Sequence, residues 1–198
     1  MTPDSHAQRK AKVYEAALAL TSQGVSPAAM TIQQLADAAG IGKGTVYEYF
    51  SSKEEILHGV ARYCFAQENE RIAARFDRCR TLVDLENELV DYLQEVAAQR
   101  MSTYRLLAVS LGQQAALPEC TDACRSQLTA LTDALVARLQ AAGEIDPGLT
   151  MDACRTSIFC TVTGGLIALC CSAGSGDALP DLPQNLRDKL HRSLQAPK

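Results

Sequence analysis

Apolar residues recur along this chain at the three- and four-residue spacing of amphipathic helices, and the clearest stripe begins just after Thr31. Its members fall at positions i, i+3, i+4 and i+7: Ile32, Leu35, Ala36 and Ala39. Thr31 can cap this helix, with Gln34 completing a capping box. Gly40 follows at once, and glycine adopts the left-handed conformation that closes a helix without steric cost. The pattern predicts a short amphipathic helix that ends in a tight turn.

A second short helix follows the turn, and a third begins directly after it. In the second helix Val46 and Phe50 lie four residues apart on the inner side. The remaining sides carry hydrogen-bond donors that are expected to point outward: Lys43, Thr45, Tyr47 and Tyr49. Ser52 can cap the third helix, with Glu55 forming a second capping box. Two short helices joined by a tight turn are typical of a helix-turn-helix, so we predict a DNA-binding motif over residues 31–57.

Stripes of the same spacing continue on both sides of this segment. One precedes it, and the helix that begins at Ser52 is predicted to reach the middle seventies. The later stripes begin at these positions: Leu85, Tyr104, Cys124, Ile158 and Leu186. No strand alternation of useful length occurs. The chain is therefore predicted to be all-α.

Residues 156–176 form an uncharged segment that is long enough to cross a bilayer as a helix. About half of its residues are Thr, Ser or Gly, so we favour a helix buried between two subunits over a membrane span. Gly164 and Gly165 lie in its middle, where each glycine costs about 1 kcal/mol of helix stability relative to alanine. This cost indicates a close backbone approach to a neighbouring element.

The composition is that of an ordinary soluble protein, with 198 residues of which 47% are hydrophobic and 21% charged. The formal net charge of −4 is uneven, because residues 1–80 carry ten Lys or Arg against nine Asp or Glu. The acidic excess therefore lies away from the predicted motif. A nearly neutral DNA-binding half implies modest electrostatic affinity per subunit, so DNA binding is expected to depend on dimerisation and a few phosphate contacts. The N-terminal residues lack the features of a signal peptide, and a cytoplasmic location is expected.

At its helix-turn-helix the sequence resembles the TetR family of bacterial transcriptional regulators. The family's signature is a pair of short helices ending in a G-T-hydrophobic-Y-x-Y-F run, which is GTVYEYF here, followed by a capped helix that begins SKEEI. The resemblance covers roughly the first third of the chain, and the rest agrees in length and helical pattern. It implies an N-terminal three-helix DNA-binding domain over residues 1–53. It also implies a C-terminal helical ligand-binding and dimerisation bundle over residues 54–198.

The resemblance further implies a homodimeric repressor that binds a pseudo-palindromic operator in double-stranded DNA and is released by a small molecule. The residues that match base-facing or nearby backbone positions are Gln33, Lys43, Thr45 and Tyr47. Those that match phosphate-contacting positions are Thr31, Tyr49 and Lys53. Gly44 allows a close backbone approach, whereas Glu48 departs from the expected chemistry because an acidic side chain in this helix repels phosphate. A basic cluster near the start of the first helix is either solvated charge or a further phosphate contact: Arg9, Lys10 and Lys12.

Two further sites are assigned from the resemblance. The family pairs its last two helices with their copies, and the residues placed in that dimer interface are Phe159, Val162, Leu166, Leu186 and Leu190. The family also encloses its inducer between the middle helices, and the corresponding lining residues are Phe65, Tyr92, Tyr104, Arg105 and Leu107. Hydroxyl and guanidinium groups within an apolar lining are the usual composition of a small-molecule site. The expected ligand is mostly apolar with a polar or anionic handle.

The cysteines leave an alternative open within the class of DNA-binding proteins. Eight cysteines in a chain without an export signal are expected to be reduced thiols. Pairs such as Cys120 and Cys124, one helical turn apart, permit a thiol- or metal-responsive switch. No Cys-x-x-Cys pair recurs and the three histidines lie apart from the cysteines, so no zinc site is predicted.

Catalysis has little support in this sequence. No Gly-rich phosphate loop, nucleophile elbow or metal-binding His pair occurs, so neither an enzyme nor a cofactor is predicted. The alternative from another class is a helical interaction protein that keeps the helix-turn-helix only as a scaffold. Salt-dependent operator binding separates that protein from a regulator.

Overall fold

The structure is a computed structural model that describes residues 3–100, 118–175 and 179–195. Within these ranges the chain forms eight α-helices and no strand, which confirms the all-α prediction. The helices are α1 Pro3–Ser22, α2 Ile32–Ala39, α3 Lys43–Tyr49, α4 Lys53–Phe76, α5 Leu82–Glu95, α6 Pro118–Ala141, α7 Met151–Ser175 and α8 Leu182–Leu194. A 3-10 helix, Pro27–Ala29, precedes α2, and a π-helical turn, Val96–Arg100, follows α5.

Both ends of α2 have the predicted geometry. The Gln34 amide N–H donates to Thr31 Oγ1 at 3.2 Å, and the Thr31 amide N–H donates to Gln34 Oε1 at 2.9 Å. Each side chain thus satisfies a backbone group that the first turn of a helix leaves without a partner. At the other end, Gly40 has φ of +67°, the left-handed conformation that glycine adopts at no cost.

The cap of α4 differs in one detail from the prediction. The Glu55 amide N–H donates to Ser52 Oγ at 3.1 Å, as expected. The Glu55 carboxylate, however, accepts from the backbone N–H and the hydroxyl of Ser51, both at 2.7 Å, rather than from Ser52. These two bonds hold the pKa of Glu55 below its usual value. The carboxylate therefore also fixes the turn that joins α3 to α4.

A first compact unit contains residues 3–68 and 118–124. Its buried core combines side chains from α1 to α4: Val13, Ala17, Met30, Leu35, Ala36, Val46, Phe50, Ile56, Val60, Ala61 and Cys64. The first four turns of α4 pack into this core, so the unit extends to Glu68. The division predicted after residue 53 consequently falls inside the unit, because the apolar stripe of α4 faces the helix-turn-helix.

A second compact unit contains the described residues of 69–100 and 125–195. Its core joins the end of α4 to α5, α6, α7 and α8, and its buried residues are Phe76, Cys79, Leu82, Leu85, Leu89, Leu135, Val136, Leu139, Ile145, Cys154, Ile158, Leu190 and Leu194. Polar side chains close the helix ends in this unit. Arg138 donates to the carbonyl oxygens of Phe76 and Cys79, and the Glu144 carboxylate accepts from the Leu82 amide at 3.0 Å.

The last helix, α8, packs on its own chain at two of the positions predicted for the dimer interface. Leu186 and Leu190 are buried against α5 and α7, with Leu190 only 1% exposed. Polar contacts reinforce this packing, because His191 Nδ1 lies 2.7 Å from Glu86 Oε1. Burial within one chain leaves these two leucines little surface for a second subunit, and their place in a dimer interface stays a prediction. The amphipathic stripe of α8 required an apolar partner, and that partner lies in the same chain.

The two adjacent glycines of α7, Gly164 and Gly165, lie in different environments. A Cβ added at Gly165 would lie 2.6 Å from Leu93 Cδ1 and 3.0 Å from Leu186 Cδ1, so the predicted close approach occurs here. Gly164 has no neighbouring atom within 4 Å of such a Cβ. Gly165 is therefore the position where α7 meets α5 and α8. Across the described residues, no helix combines the length and apolarity needed to cross a membrane.

Candidate DNA-binding surface

The helix α3 has one face held in the core and another open to solvent. Val46 is fully buried and Phe50 nearly so, which fixes the helix against α1, α2 and α4. On the outer side Lys43 and Gly44 are exposed, and Tyr47 is 54% exposed although its ring is large and apolar. Thr45 is half-buried. The arrangement presents donors from the start of α3 on a rigid support.

Tyr49 does not share that outer face, and the prediction that it points outward was wrong. Its side chain is 6% exposed because position 49 lies on the same side as Val46 and Phe50. Its hydroxyl accepts a hydrogen bond from Arg9 Nη1 at 3.0 Å. The ring of His6 packs edge-on against it, with centroids 4.4 Å apart.

The exposed residues of α2 are already engaged with one another. Gln33 Nε2 donates to Asp37 Oδ1 at 2.8 Å, so the amide donor that could bind a base is held by a carboxylate one turn away. The Thr31 hydroxyl accepts from the Gln34 amide and donates to Gln34 Oε1 at 3.1 Å. The DNA-contacting roles of Gln33 and Thr31 stay predictions, and each requires these bonds to be shared or exchanged.

Lys53 begins α4 beside the turn that follows α3. Its Nζ donates to the carbonyl oxygen of Ala28 at 2.7 Å, which ties the helix start to the 3-10 helix before α2. Only one of the three ammonium protons is used in this bond. The Lys53 ammonium group is therefore held at the edge of the helix-turn-helix and keeps N–H donors for other acceptors.

The residues predicted for a dimer interface on α7 have mixed exposure. Phe159 and Leu166 are half-buried, and Val162 packs partly against the core of the second unit. The most exposed large apolar residue on this helix is Ile167, at 59%, which the assignment of interface residues did not include. Ile167 is two residues after the inward-facing Gly165 and therefore lies on the opposite side of the helix.

The predicted ligand-lining residues are distributed over different parts of the chain. Phe65 packs, half-buried, against the core of the first unit. In the second unit Tyr92 is buried, with the Arg75 guanidinium carbon 5.7 Å from its ring centroid. Arg75 also pairs with Glu88 at 2.8 Å and with Glu95. The remaining predicted residues, Tyr104, Arg105 and Leu107, lie outside the described residues.

Three of the four cysteines with described side chains are buried: Cys64, Cys79 and Cys154. Burial raises the pKa of the Cys79 thiol to about 11 and that of Cys154 in the same direction. Such thiols are poor nucleophiles and poor metal ligands at neutral pH. Cys160 is exposed on α7. In the part of the chain that the structure describes, no three His, Cys, Asp or Glu side chains are grouped so as to hold a metal.

The capped α2, the left-handed turn and the half-exposed α3 define a helix-turn-helix DNA-binding protein. Residues 13–60 match the sequence model of the bacterial regulatory proteins of the tetR family. The N-terminal segment thus matches the DNA-binding domain of that family, as its signature residues indicated, and this match supports a DNA-binding transcriptional regulator.

Solved structures of similar fold cover nearly the whole chain. The regulator FadR of Bacillus subtilis, in complex with stearoyl-CoA, has a TM-score of 0.68 at 20% identity over 92% of this chain and 96% of its own. A TetR-family regulator from Mesorhizobium loti reaches 0.72 at 18% identity, with coverage of 98% and 95%. RolR, in complex with resorcinol, gives 0.60 at 16% identity, with coverage of 99% and 92%. No curated protein matches the sequence.

Proposed function

We propose that this regulator is a homodimeric repressor whose two copies of α3 enter the major groove at the half-sites of a pseudo-palindromic operator. The observation that carries the proposal is the division of α3, in which Val46 is fully buried while Lys43, Gly44 and Tyr47 face solvent. A recognition helix needs a buried side and an exposed side, because the buried side holds the helix rigidly and the exposed side contacts base edges and phosphates. Lys43 offers a donor suited to the O6 and N7 acceptors of guanine.

The dimer is supported by the outer side of α7. Besides Ile167, exposed and uncharged residues recur at helical spacing on this side: Thr156, Cys160 and Thr163. An uncharged helix face that includes a largely exposed isoleucine is a typical contact surface for a second subunit. We therefore place the pairing surface on α7 around Leu166 and Ile167, without the inward-facing leucines of α8.

The ligand is proposed to be mostly apolar with a polar or anionic handle. Two regulators of similar fold support this proposal, because their structures contain stearoyl-CoA and resorcinol. The predicted lining residues are Phe65, Tyr92, Tyr104, Arg105 and Leu107. Such a ligand changes operator affinity only if it binds the DNA-bound and released states with different free energies. A shift of α4 that alters the spacing of the two recognition helices is one way to provide that difference.

Selection of binding sites from random duplex DNA, followed by titration of the recovered sequence, tests the proposed function. We expect a palindromic site that binds one dimer, with an affinity that falls as salt concentration rises. The matched control is the same duplex with one half-site scrambled, which should bind much more weakly. Recovery of no sequence preference would instead favour a helical interaction protein that keeps the helix-turn-helix as a scaffold. A reporter gene placed behind the site then separates repression from activation.

A further inference from the structure

One acidic side chain lies on the solvent-exposed face of the recognition helix α3. Glu48 is exposed, and it shares this face with Lys43, Gly44 and Tyr47, which are exposed as well. Residues four apart in a helix lie one above the other, so Glu48 follows Gly44 by one turn. A helix that enters the major groove with this face therefore brings a carboxylate close to the bases.

The Glu48 carboxylate takes no part in the hydrogen bonds that hold the first unit together. Among the described residues, no side chain or backbone group bonds to it. Other acids of this unit are engaged, since Glu15 accepts from the Tyr63 hydroxyl and Glu55 accepts from Ser51. No Lys or Arg stands three or four residues from Glu48, so an ion pair along the helix is not available to it either. The carboxylate is therefore open to an external hydrogen-bond donor.

Gly44 leaves room beside Glu48 on the exposed face. A Cβ added at Gly44 would meet no atom within 4 Å, so the space one turn before Glu48 is open. Helical side chains lean toward the N-terminus of their helix, which directs Glu48 toward this space. The first residues of a recognition helix are those that contact base edges. The Glu48 carboxylate can therefore reach the bases that lie next to Gly44.

The chemistry of the major groove decides which base a carboxylate binds there. A carboxylate only accepts hydrogen bonds, and the major-groove donors are the N4 amine of cytosine and the N6 amine of adenine. The adenine amine lies between two acceptors that repel a carboxylate, its own N7 and the O4 of the paired thymine. The cytosine amine has an acceptor on one side only, the O6 of the paired guanine. A carboxylate in the groove therefore favours cytosine.

We propose that Glu48 determines part of the operator sequence by accepting a hydrogen bond from the N4 amine of one cytosine in each half-site. The inference rests on the proposed DNA-binding function and adds a base preference to it. Opposite guanine or thymine the carboxylate faces acceptors, and it is also repelled by the phosphates, so it penalises the wrong sequences. Glu48 thus lowers the affinity for DNA in general and restores it at one base pair.

The test compares the wild type, Glu48→Ala and Glu48→Gln on the operator recovered by site selection and on duplexes with each base pair of both half-sites replaced in turn. We expect one position at which the wild type prefers cytosine to every other base by about tenfold. Glu48→Ala should lose this preference and bind a scrambled duplex about twofold more tightly, because a charge that repels phosphate is removed. Glu48→Gln should prefer adenine at the same position, since an amide pairs with both N6 and N7.

A chemical change in the DNA provides an independent measurement. N4-methylcytosine at that position replaces the amine proton that faces the major groove, while its pairing with guanine is kept. It should weaken wild-type binding by about tenfold and leave Glu48→Ala unaffected. Glu70→Ala is the matched control, because Glu70 is an exposed acid on α4, and it should keep the wild-type base preferences.

Two results would overturn the role of Glu48 while leaving the proposed function intact. If Glu48→Ala binds every duplex more tightly by the same factor, Glu48 is only a repelling charge at the rim of the groove. If both Glu48 variants keep the wild-type preference at every position, other residues read the bases. A wild-type protein that shows no sequence preference on any duplex would instead defeat the proposed function, and the cytosine contact with it.

Discussion

Gly59 on α4 lies so close to the Tyr14 ring on α1 that it leaves no room for a side chain. A Cβ added at Gly59 would come within 2.6 Å of Tyr14 Cζ. The ring is itself held in place, because it packs against Phe50 and Tyr63 with centroid distances of 5.7 and 5.6 Å. Burial also raises the pKa of the Tyr14 hydroxyl above its usual value. The contact between α1 and α4 in the first unit therefore depends on a glycine at this position.

Gly59→Ala is expected to destabilise the protein by about 1–3 kcal/mol, since overpacking a held ring costs more than the gain in helix propensity. Urea unfolding followed by circular dichroism measures the difference. The control is Gly44→Ala, because a Cβ at that exposed glycine meets no atom within 4 Å. Gly44→Ala should leave stability unchanged or slightly raised and should weaken operator binding if the backbone approaches DNA there. A Gly59→Ala protein as stable as the wild type would show that the Tyr14 ring can move aside.

Substitutions on the exposed side of α3 are expected to reduce specific DNA binding without unfolding the protein. Lys43→Ala and Tyr47→Ala should each weaken operator binding by about 1–3 kcal/mol if the side chain makes a good base contact. Lys53→Ala should instead weaken binding to all sequences and lower the salt slope by about one. Fluorescence anisotropy with operator and scrambled duplexes distinguishes the two behaviours. Lys189→Ala, an exposed cation on α8, serves as control, and unchanged operator affinity in all three α3 and α4 variants would contradict the assignment.

The proposed dimer surface predicts a specific sensitivity to charge on α7. Leu166→Arg and Ile167→Arg should each give monomers or aggregates and abolish operator binding, because an arginine would be buried without a partner between two subunits. Sedimentation velocity measures the mass of each variant. Val83→Arg is the matched control, since Val83 is 54% exposed on α5 and similar in exposure to Ile167. If both α7 variants remain fully dimeric, the subunits pair elsewhere.

The described thiols are expected to differ strongly in reactivity. At pH 8 Cys160 should react with a disulfide reagent in folded monomers of Leu166→Arg, which leave the α7 surface uncovered, whereas Cys79 should react only after unfolding. The pKa of the Cys79 thiol is raised to about 11, so its thiolate fraction becomes appreciable only as the pH rises toward that value. Mass spectrometry of the labelled peptides identifies each site. Rapid labelling of Cys79 in the folded state at pH 8 would restore it as a candidate sensor.

Release from the operator is expected to depend on a small molecule and not on free thiols. A thermal-shift screen should identify apolar compounds with a polar or anionic group, and the stabilising compounds should weaken operator binding. A variant with all eight cysteines replaced by Ser or Ala should respond to them as the wild type does. Compounds that stabilise the protein but leave operator affinity unaltered would argue against the ligand-release model. Release that disappears in the cysteine-free variant would favour the thiol switch.

Local features of this protein were predictable from the order of its residues. The capping box of Thr31 and Gln34, the left-handed Gly40 and the buried Leu35 depend on residues within one or two turns of each other. Helical periodicity and caps act over that range, so a single sequence contains the information. One local signal was misread, because Tyr49 lies three residues after Val46 and therefore on the buried side of α3.

The partners of each helix face could be decided only by the tertiary structure. An apolar stripe shows that a helix face must be buried, but it does not identify the surface that packs against that face. For Leu186 and Leu190 this surface is formed by α5 and α7 of the same chain. The reach of the first unit to Glu68 and the bond between Arg9 and Tyr49 are also contacts between residues far apart in the chain. Hydrophobic burial is not directional, so the choice among possible apolar partners depends on how the whole chain packs.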